Sequence, residues 1–261
     1  MFTFLAYLFT GAFAGMTAGL MGLGGGAVIV PILYALFTIQ ALAPEYTMQL
    51  AVGTSLATIV FTAISSSLTH YRLGNIQTKT VLWLTPGIII GAWLGAAIAD
   101  ALPTDTLRRI FGIFEIIIAM QIGFGFKPGA NRTLPSPRGL AVAGSFIGTI
   151  SSIMGIGGGS LTVPYLLWCN VPMKEAVGSS AACGLPIAFA GVIGFIVAGL
   201  GNPGLPDWSL GYVYLPATLC IVSTSVLFAP IGAHLAHRLP VLILKRIFAV
   251  FLVLVGLKML L

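Results

Sequence analysis

Two glycine-rich runs, "MGLGGGAVIVP" from Met21 and "MGIGGGSLTVP" from Met154, agree at seven of eleven positions. Consecutive glycines let backbone N–H groups converge, and a helix that restarts just after them aims its positive dipole end at the same place. Such loops could hold a small anion. Gly24, Gly25 and Gly26 form the first candidate cradle, and Gly157, Gly158, Gly159 and Ser160 the second. Thr54 and Ser55 in "AVGTSLA" match Ser179 and Ser180 in "AVGSSAA". Their hydroxyls can donate to an anion without the desolvation cost of a buried cation. Each feature also has a plainer role. Glycines permit close helix packing, and membrane-helix hydroxyls bond carbonyls one turn back.

Both runs contain G-x-G-x-x-[AS], and Glu45 and Glu175 lie about twenty residues further on, as a dinucleotide fingerprint asks. The fingerprint needs a strand before it and an amphipathic helix after it. Here an apolar segment precedes each loop, Pro31 or Pro164 interrupts the segment after it, and the Lys-Ser/Thr of a phosphate loop is missing. Nucleotide binding is therefore excluded. A hydrolase within the membrane would need an activated serine beside a histidine or aspartate at depth. His70, His234 and His237 all fall at segment ends, without metal-ligand spacing. The expectation is no enzyme, no metal and no cofactor. Cys169, Cys183 and Cys220 lie within or at the ends of apolar segments and read as packing residues.

Composition sets the elements that position these groups. Of 261 residues, 58% are hydrophobic and 7% charged, against about 25% charged in a soluble domain. Apolar runs separated by short polar breaks make an all-α, polytopic membrane protein. The net charge of +6 comes from Lys and Arg placed singly or in pairs at segment ends. They orient the chain in a lipid bilayer and are not a nucleic-acid surface. The opening "MFTFLAYLFTG" lacks a basic region and a small-residue cleavage site, and reads as a retained first segment.

The glycine runs belong to a longer duplication. "LPTDTLRRIFGIF" from Leu102 matches "LPVLILKRIFAVF" from Leu239 at seven of thirteen positions. The division is a first repeat over 1–126, a linker over 127–138 and a second repeat over 139–261. Each repeat opens with a Gly-interrupted region, 2–37 or 139–168. Three helices come after each, over 48–69, 80–99 and 105–124, then 176–199, 212–235 and 241–261.

Charge decides their orientation. If each Gly-interrupted region enters and leaves on one side, or crosses twice, one face collects nine of the twelve Lys and Arg, including Arg72, Lys79, Arg138 and Lys174. The other keeps Arg108, Arg109 and Lys258. A single crossing would split them evenly, against the positive-inside tendency. The repeats are then inverted, with the linker cytoplasmic and both termini outside. Gly159 to Trp168 is ten residues, roughly 15 Å of helix, half a hydrocarbon core. This favours a re-entrant broken pair with its tip near the midplane, although two full crossings of the first region also fit. Glu115 is the one mid-segment charge and a candidate for proton coupling. Arg109 and Arg246, mates in the duplication, could attract anions into a vestibule or anchor helix ends.

With these residues assembled, the chain resembles the sulfite exporter TauE/SafE family of membrane permeases. The likeness rests on "GLMGLGGGAVIVP", "IMGIGGGSLTVP", "AVGTSL", "AVGSSA" and "LTHYRLGNIQ". The resemblance implies a secondary transporter of small sulfur-containing anions, such as sulfite, thiosulfate or an organosulfonate, in a bacterial or archaeal cytoplasmic membrane. The residues themselves leave open a permease or channel for another solute, and whether copies assemble into a homo-oligomer.

Overall fold

A computed structural model describes residues 2–21, 25–123, 133–236 and 241–261; Gly24 and the first half of the linker lie outside them. Helices dominate. The first half holds α1 (Phe2–Met21), α2 (Gly26–Ile39), α3 (Thr47–Arg72), α4 (Thr78–Ala101) and α5 (Thr104–Gly123). The second holds α6 (Pro137–Met154), α7 (Gly159–Trp168), α8 (Met173–Gly199), α9 (Leu215–Ala236) and α10 (Val241–Leu260). Between α8 and α9 a two-residue ribbon pairs β1 (Ser209–Leu210) with β2 (Val213–Tyr214). Among the described residues, α3, α4 and α8 are long and apolar enough to cross a membrane.

Packing is set by where the small residues fall. α4 carries Gly87, Gly91 and Gly95 at four-residue spacing, and α6 carries Gly144 and Gly148. A Cβ on Gly87 would lie 1.8 Å from the Ala141 carbonyl oxygen, one on Gly91 2.1 Å from that of Ser145, and one on Gly95 2.5 Å from that of Thr149. Both helices advance together along this seam, so they run parallel. Lipid offers no hydrophobic drive between apolar helices, and such close backbone approach supplies the attraction instead. α1 meets α9 in the same way: a Cβ on Gly11 would clash with the Ile221 carbonyl oxygen, and one on Gly15 with that of Ser225. Each half thus lends its first helix to the other half's fourth.

Two further pairs run the opposite way. Leu56 on α3 meets Gly191 on α8, and Ala63 approaches Gly184. The Ser67 hydroxyl donates to the Ala181 carbonyl at 2.9 Å. Rising numbers on α3 meet falling numbers on α8, so these helices are antiparallel. α5 and α10 are antiparallel as well, with Gly112 against Gly256 and Gly123 against Ala249. α3 forms the centre: 78% of its most apolar window is buried, against 39% for α4 and for α8. The exposed faces of α4 and α5, with Ile90, Trp93 and Leu94, and Ile113, Ile117 and Met120, are apolar and suit lipid.

The helix directions place the ends of α2, α4 and α8 with the starts of α3, α5 and α9. Glu45, Asp100, Asp105 and Asp207 lie at this end, and Arg72, Lys79, Arg138 and Lys174 lie at the other. The fourth helix of the second half starts at Leu215 rather than at 212 as the sequence indicates, because residues 209–214 form the ribbon.

Candidate functional site

Both broken regions have a long first arm and a short return. α1 and α6 span 20 and 18 residues, α2 and α7 only 14 and 10. At ~1.5 Å per residue the first arms run about 27–30 Å and the returns about 15–21 Å. Gly25 starts α2 at φ 73° and Gly158 starts α7 at φ 79°. This left-handed backbone disfavours L side chains. Gly155 closes α6 in the same region, with its N–H and that of Ile156 donating to the Ser152 and Ser151 carbonyls. Neither α2 nor α7 has a side-chain cap, so the N–H groups of Gly26, Ala27, Gly159 and Ser160 have no partner in their own helix, whereas those of Val28 and Leu161 donate to the Gly25 and Gly158 carbonyls.

The breaks touch. A Cβ on Gly26 would stand 2.3 Å from the Gly155 carbonyl oxygen and 2.9 Å from the Ile156 Cα. The Gly157 carbonyl faces Gly184, and Gly158 faces Ile187, halfway along α8. Ser55 on α3 donates its hydroxyl to the same Gly155 carbonyl at 2.9 Å. Gly25, Gly26, Ser55, Gly157, Gly158, Gly159 and Ser160 are therefore brought together around the two tips, all of them buried.

Thr54 and Ser179 serve a different contact. Gly53 lets the Tyr212 carbonyl close in, and the Thr54 hydroxyl accepts the Tyr214 N–H at 3.0 Å. At the opposite end, Gly178 lets the Asn75 carbonyl close in, and the Ser179 hydroxyl accepts the Gln77 N–H at 2.9 Å. Each half's connection between its third and fourth helices thus docks on the other half's central helix through one glycine and one hydroxyl. Tyr212 secures its loop further by donating to Asp100 at 2.6 Å. Burial first, and the Asp100 carboxylate after it, hold the Tyr212 phenol well above its ordinary pKa. Thr54→Val or Ser179→Ala leaves one loop N–H without its acceptor, a loss of about 1–2 kcal/mol. Thermal unfolding in detergent is expected to show a lower midpoint for each and an additive fall for the pair, since the two contacts are far apart.

Several hydroxyls elsewhere bond their own helix: Thr10 donates to Ala6, Thr38 to Tyr34, Thr85 to Val81 and Thr149 to Ser145. Ser151, Ser152, Ser160, Thr162 and Ser180 are buried without any hydrogen-bond partner. Four of them flank the second break. Of these only Ser160 is legible as a site residue from the glycine motif. Ser151, Ser152 and Thr162 sit in "TISSIMGIGGGSLT", where hydroxyl density on both sides of the glycines is the available signal.

Glu115 is fully buried in α5, and neither carboxylate oxygen has a partner. It lies near the Gly112–Gly256 crossing, beside the α10 seam and apart from the breaks. Arg109 and Arg246 are exposed on α5 and α10, alongside exposed Ile113 and Val250, and are not brought to the glycine tips. A cavity of about 570 Å³ opens at the α2–α3 turn, lined by Tyr34, Thr38, Glu45, Thr104 and Asp105 among others. Its two carboxylates make it a poor anion site. Among the described residues, no three His, Cys, Asp or Glu side chains group to hold a metal ion.

A model of the sulfite exporter TauE/SafE family matches residues 7–259. A probable membrane transporter protein of Haemophilus influenzae is 41% identical over 261 residues, covering 99% of both chains. The probable membrane transporter protein YunE of Bacillus subtilis is 28% identical, covering 97% of this chain and 96% of its own. One from Methanocaldococcus jannaschii is 27% identical, covering 97% and 94%. No solved structure matches significantly.

Proposed function

The chain belongs to the sulfite exporter TauE/SafE family and is a multi-pass membrane transporter, and from that premise we propose that it exports a small sulfur-containing anion by alternating access around its two touching helix breaks. Sulfite, thiosulfate and organosulfonates are the solutes of choice. The observation that carries this reading is the contact of Gly26 with Gly155 and Ile156, which sets the start of α2 against the end of α6 so that the two breaks meet halfway through the molecule. Gly- and Pro-interrupted helices at matching places in two repeats are where transporters bind their solutes.

The helix directions support inverted repeats over 1–126 and 139–261. Corresponding helices that pack together, α3 with α8 and α5 with α10, run antiparallel, as a two-fold axis in the membrane plane requires. α1–α2 opens and closes at the acidic end, α6–α7 at the basic end. The basic end, with the 127–138 linker, is then cytoplasmic, in the inner membrane. The two loop dockings, at Thr54 and at Ser179, hold opposite ends of α3 and α8 and suit gates that release one at a time.

Export of an anion needs no coupling ion. A negative interior drives one charge outward with ~2.3 kcal/mol per 100 mV. Glu115 is the coupling candidate if protons take part. Glu115→Gln keeps shape and burial, so the fold is expected to survive, and any pH dependence of transport carried by this carboxyl should flatten in a flux-against-pH series. The test of the function is efflux of labelled sulfite, thiosulfate or sulfoacetate from proteoliposomes under an imposed potential. Saturable, potential-driven efflux of at least one is expected. Flux of none would redirect the reading to another small solute, and unitary conductance steps would make the protein a channel.

A further inference from the structure

The two return helices start alike, at Gly25 with φ 73° and at Gly158 with φ 79°, but the side chains around them differ in chemistry. The glycine runs align at a spacing of 133 residues, Met21 with Met154. At that spacing Ser151, Ser152, Ser160 and Thr162 of the second break stand where the first has Ala18, Gly19, Ala27 and Ile29. Every hydroxyl at the second tip is replaced by hydrogen or hydrocarbon at the first. Ala27 and Ile29 are each 2% exposed, Ser160 is 5% and Thr162 0%.

A buried hydroxyl without a partner costs stability, and helices normally avoid the cost by bonding back one turn. Ser160 has no helical turn behind it, because residues 155–158 are the break itself. Thr162 has the Gly158 and Gly159 carbonyls behind it and bonds neither, and that of Gly158 already accepts the N–H groups of Leu161 and Thr162. Local geometry therefore keeps both donors unspent beside the uncapped start of α7. The start of α2 is likewise without a side-chain cap, but Ala27 and Ile29 stand where α7 has Ser160 and Thr162.

Resting on the transport reading above, we infer that Ser160 and Thr162 are specificity-determining residues that hold the oxygen atoms of the solute, while Ala27 and Ile29 take its face that makes no hydrogen bonds. The solute binds in one orientation. It is an oxyanion with its oxygens gathered at one end, a pyramidal anion or one bearing a carbon substituent. A tetrahedral anion with acceptors all round, such as sulfate, would press an oxygen against hydrocarbon and leave it unpaired.

The test is thermal unfolding of the full-length protein in detergent, monitored by tryptophan fluorescence and titrated with sodium sulfite, sodium methanesulfonate and sodium sulfate. Stabilisation by sulfite or methanesulfonate at concentrations at least tenfold lower than by sulfate is expected. Ser160→Ala and Thr162→Val should each raise the half-saturating concentration about tenfold, the factor that one lost hydrogen bond of ~1.4 kcal/mol gives, with Thr162→Ser restoring it. Adding Ala27→Ser to Ser160→Ala should not restore binding. If it does, the breaks are interchangeable and the inference is overturned, as it is if sulfate binds as well as the others. Stabilisation by none of the three overturns the anion reading and this inference together, whereas stabilisation that ignores both hydroxyl variants overturns only the inference.

Discussion

Gly26→Ala is expected to remove at least nine-tenths of transport while the protein still reaches the membrane. Gly26 lies inside α2 with ordinary helical backbone, so alanine brings no conformational strain of its own. What it brings is a Cβ 2.3 Å from the Gly155 carbonyl oxygen and 2.9 Å from the Ile156 Cα. Both obstacles are backbone, so neither can rotate away, and the two breaks must separate. Overpacking of this kind costs about 1–3 kcal/mol, roughly a ten- to hundredfold loss where the contact forms part of the site. Gly74→Ala is the matching control. It carries the strain of φ 68° with nothing within 4 Å, about 1–2 kcal/mol, and should lower stability while leaving the contact between the two breaks in place. Proteoliposome efflux and unfolding midpoints of the two variants separate the effects.

Gly91→Val should prevent folding altogether. Its Cβ would fall 2.1 Å from the Ser145 carbonyl oxygen, in the middle of the seam that Gly87 and Gly95 continue. Valine must push α4 and α6 apart over most of their shared length, forfeiting the close backbone approach that holds parallel membrane helices together. The loss is at least about 3 kcal/mol, and it falls on the main bond between the halves. Ile90→Val, next in sequence but 60% exposed on the lipid-facing side, should change almost nothing. The measurement is the monodisperse fraction on size exclusion after detergent extraction, high for Ile90→Val and near zero for Gly91→Val.

The contrast between Ile90 and Gly91 also indicates how far the sequence can be read. Helix positions are legible because apolar runs and polar breaks are local: the helix expected over 48–69 spans Thr47–Arg72, and that over 80–99 spans Thr78–Ala101. The duplication is legible because matching motifs repeat. What the motifs do is only half legible. "AVGTSLA" and "AVGSSAA" announce two hydroxyls each, but the first of each pair receives a backbone N–H from Tyr214 or Gln77. The loops that supply those groups, "YVY" and "NIQ", share no side-chain pattern, since only their backbone is used. The meeting of Gly26 with Gly155 is equally hidden, because it joins residues 129 positions apart through atoms that every residue has. Arg109 and Arg246 match in the two repeats, and both side chains are exposed on α5 and α10.

Alternating access requires above all that the tips be reached from both sides of the membrane, one side at a time. Ile187 is fully buried and its Cδ1 stands where a Cβ on Gly158 would fall, so it reports directly on the second break. The decisive measurement places Ile187→Cys in a background with Cys169, Cys183 and Cys220 replaced by alanine or serine. An impermeant thiol reagent is then applied to one side of sealed vesicles or the other. Slow but complete reaction from either side is the predicted result. Reaction from a single side, or from neither, would contradict alternating access around the two breaks.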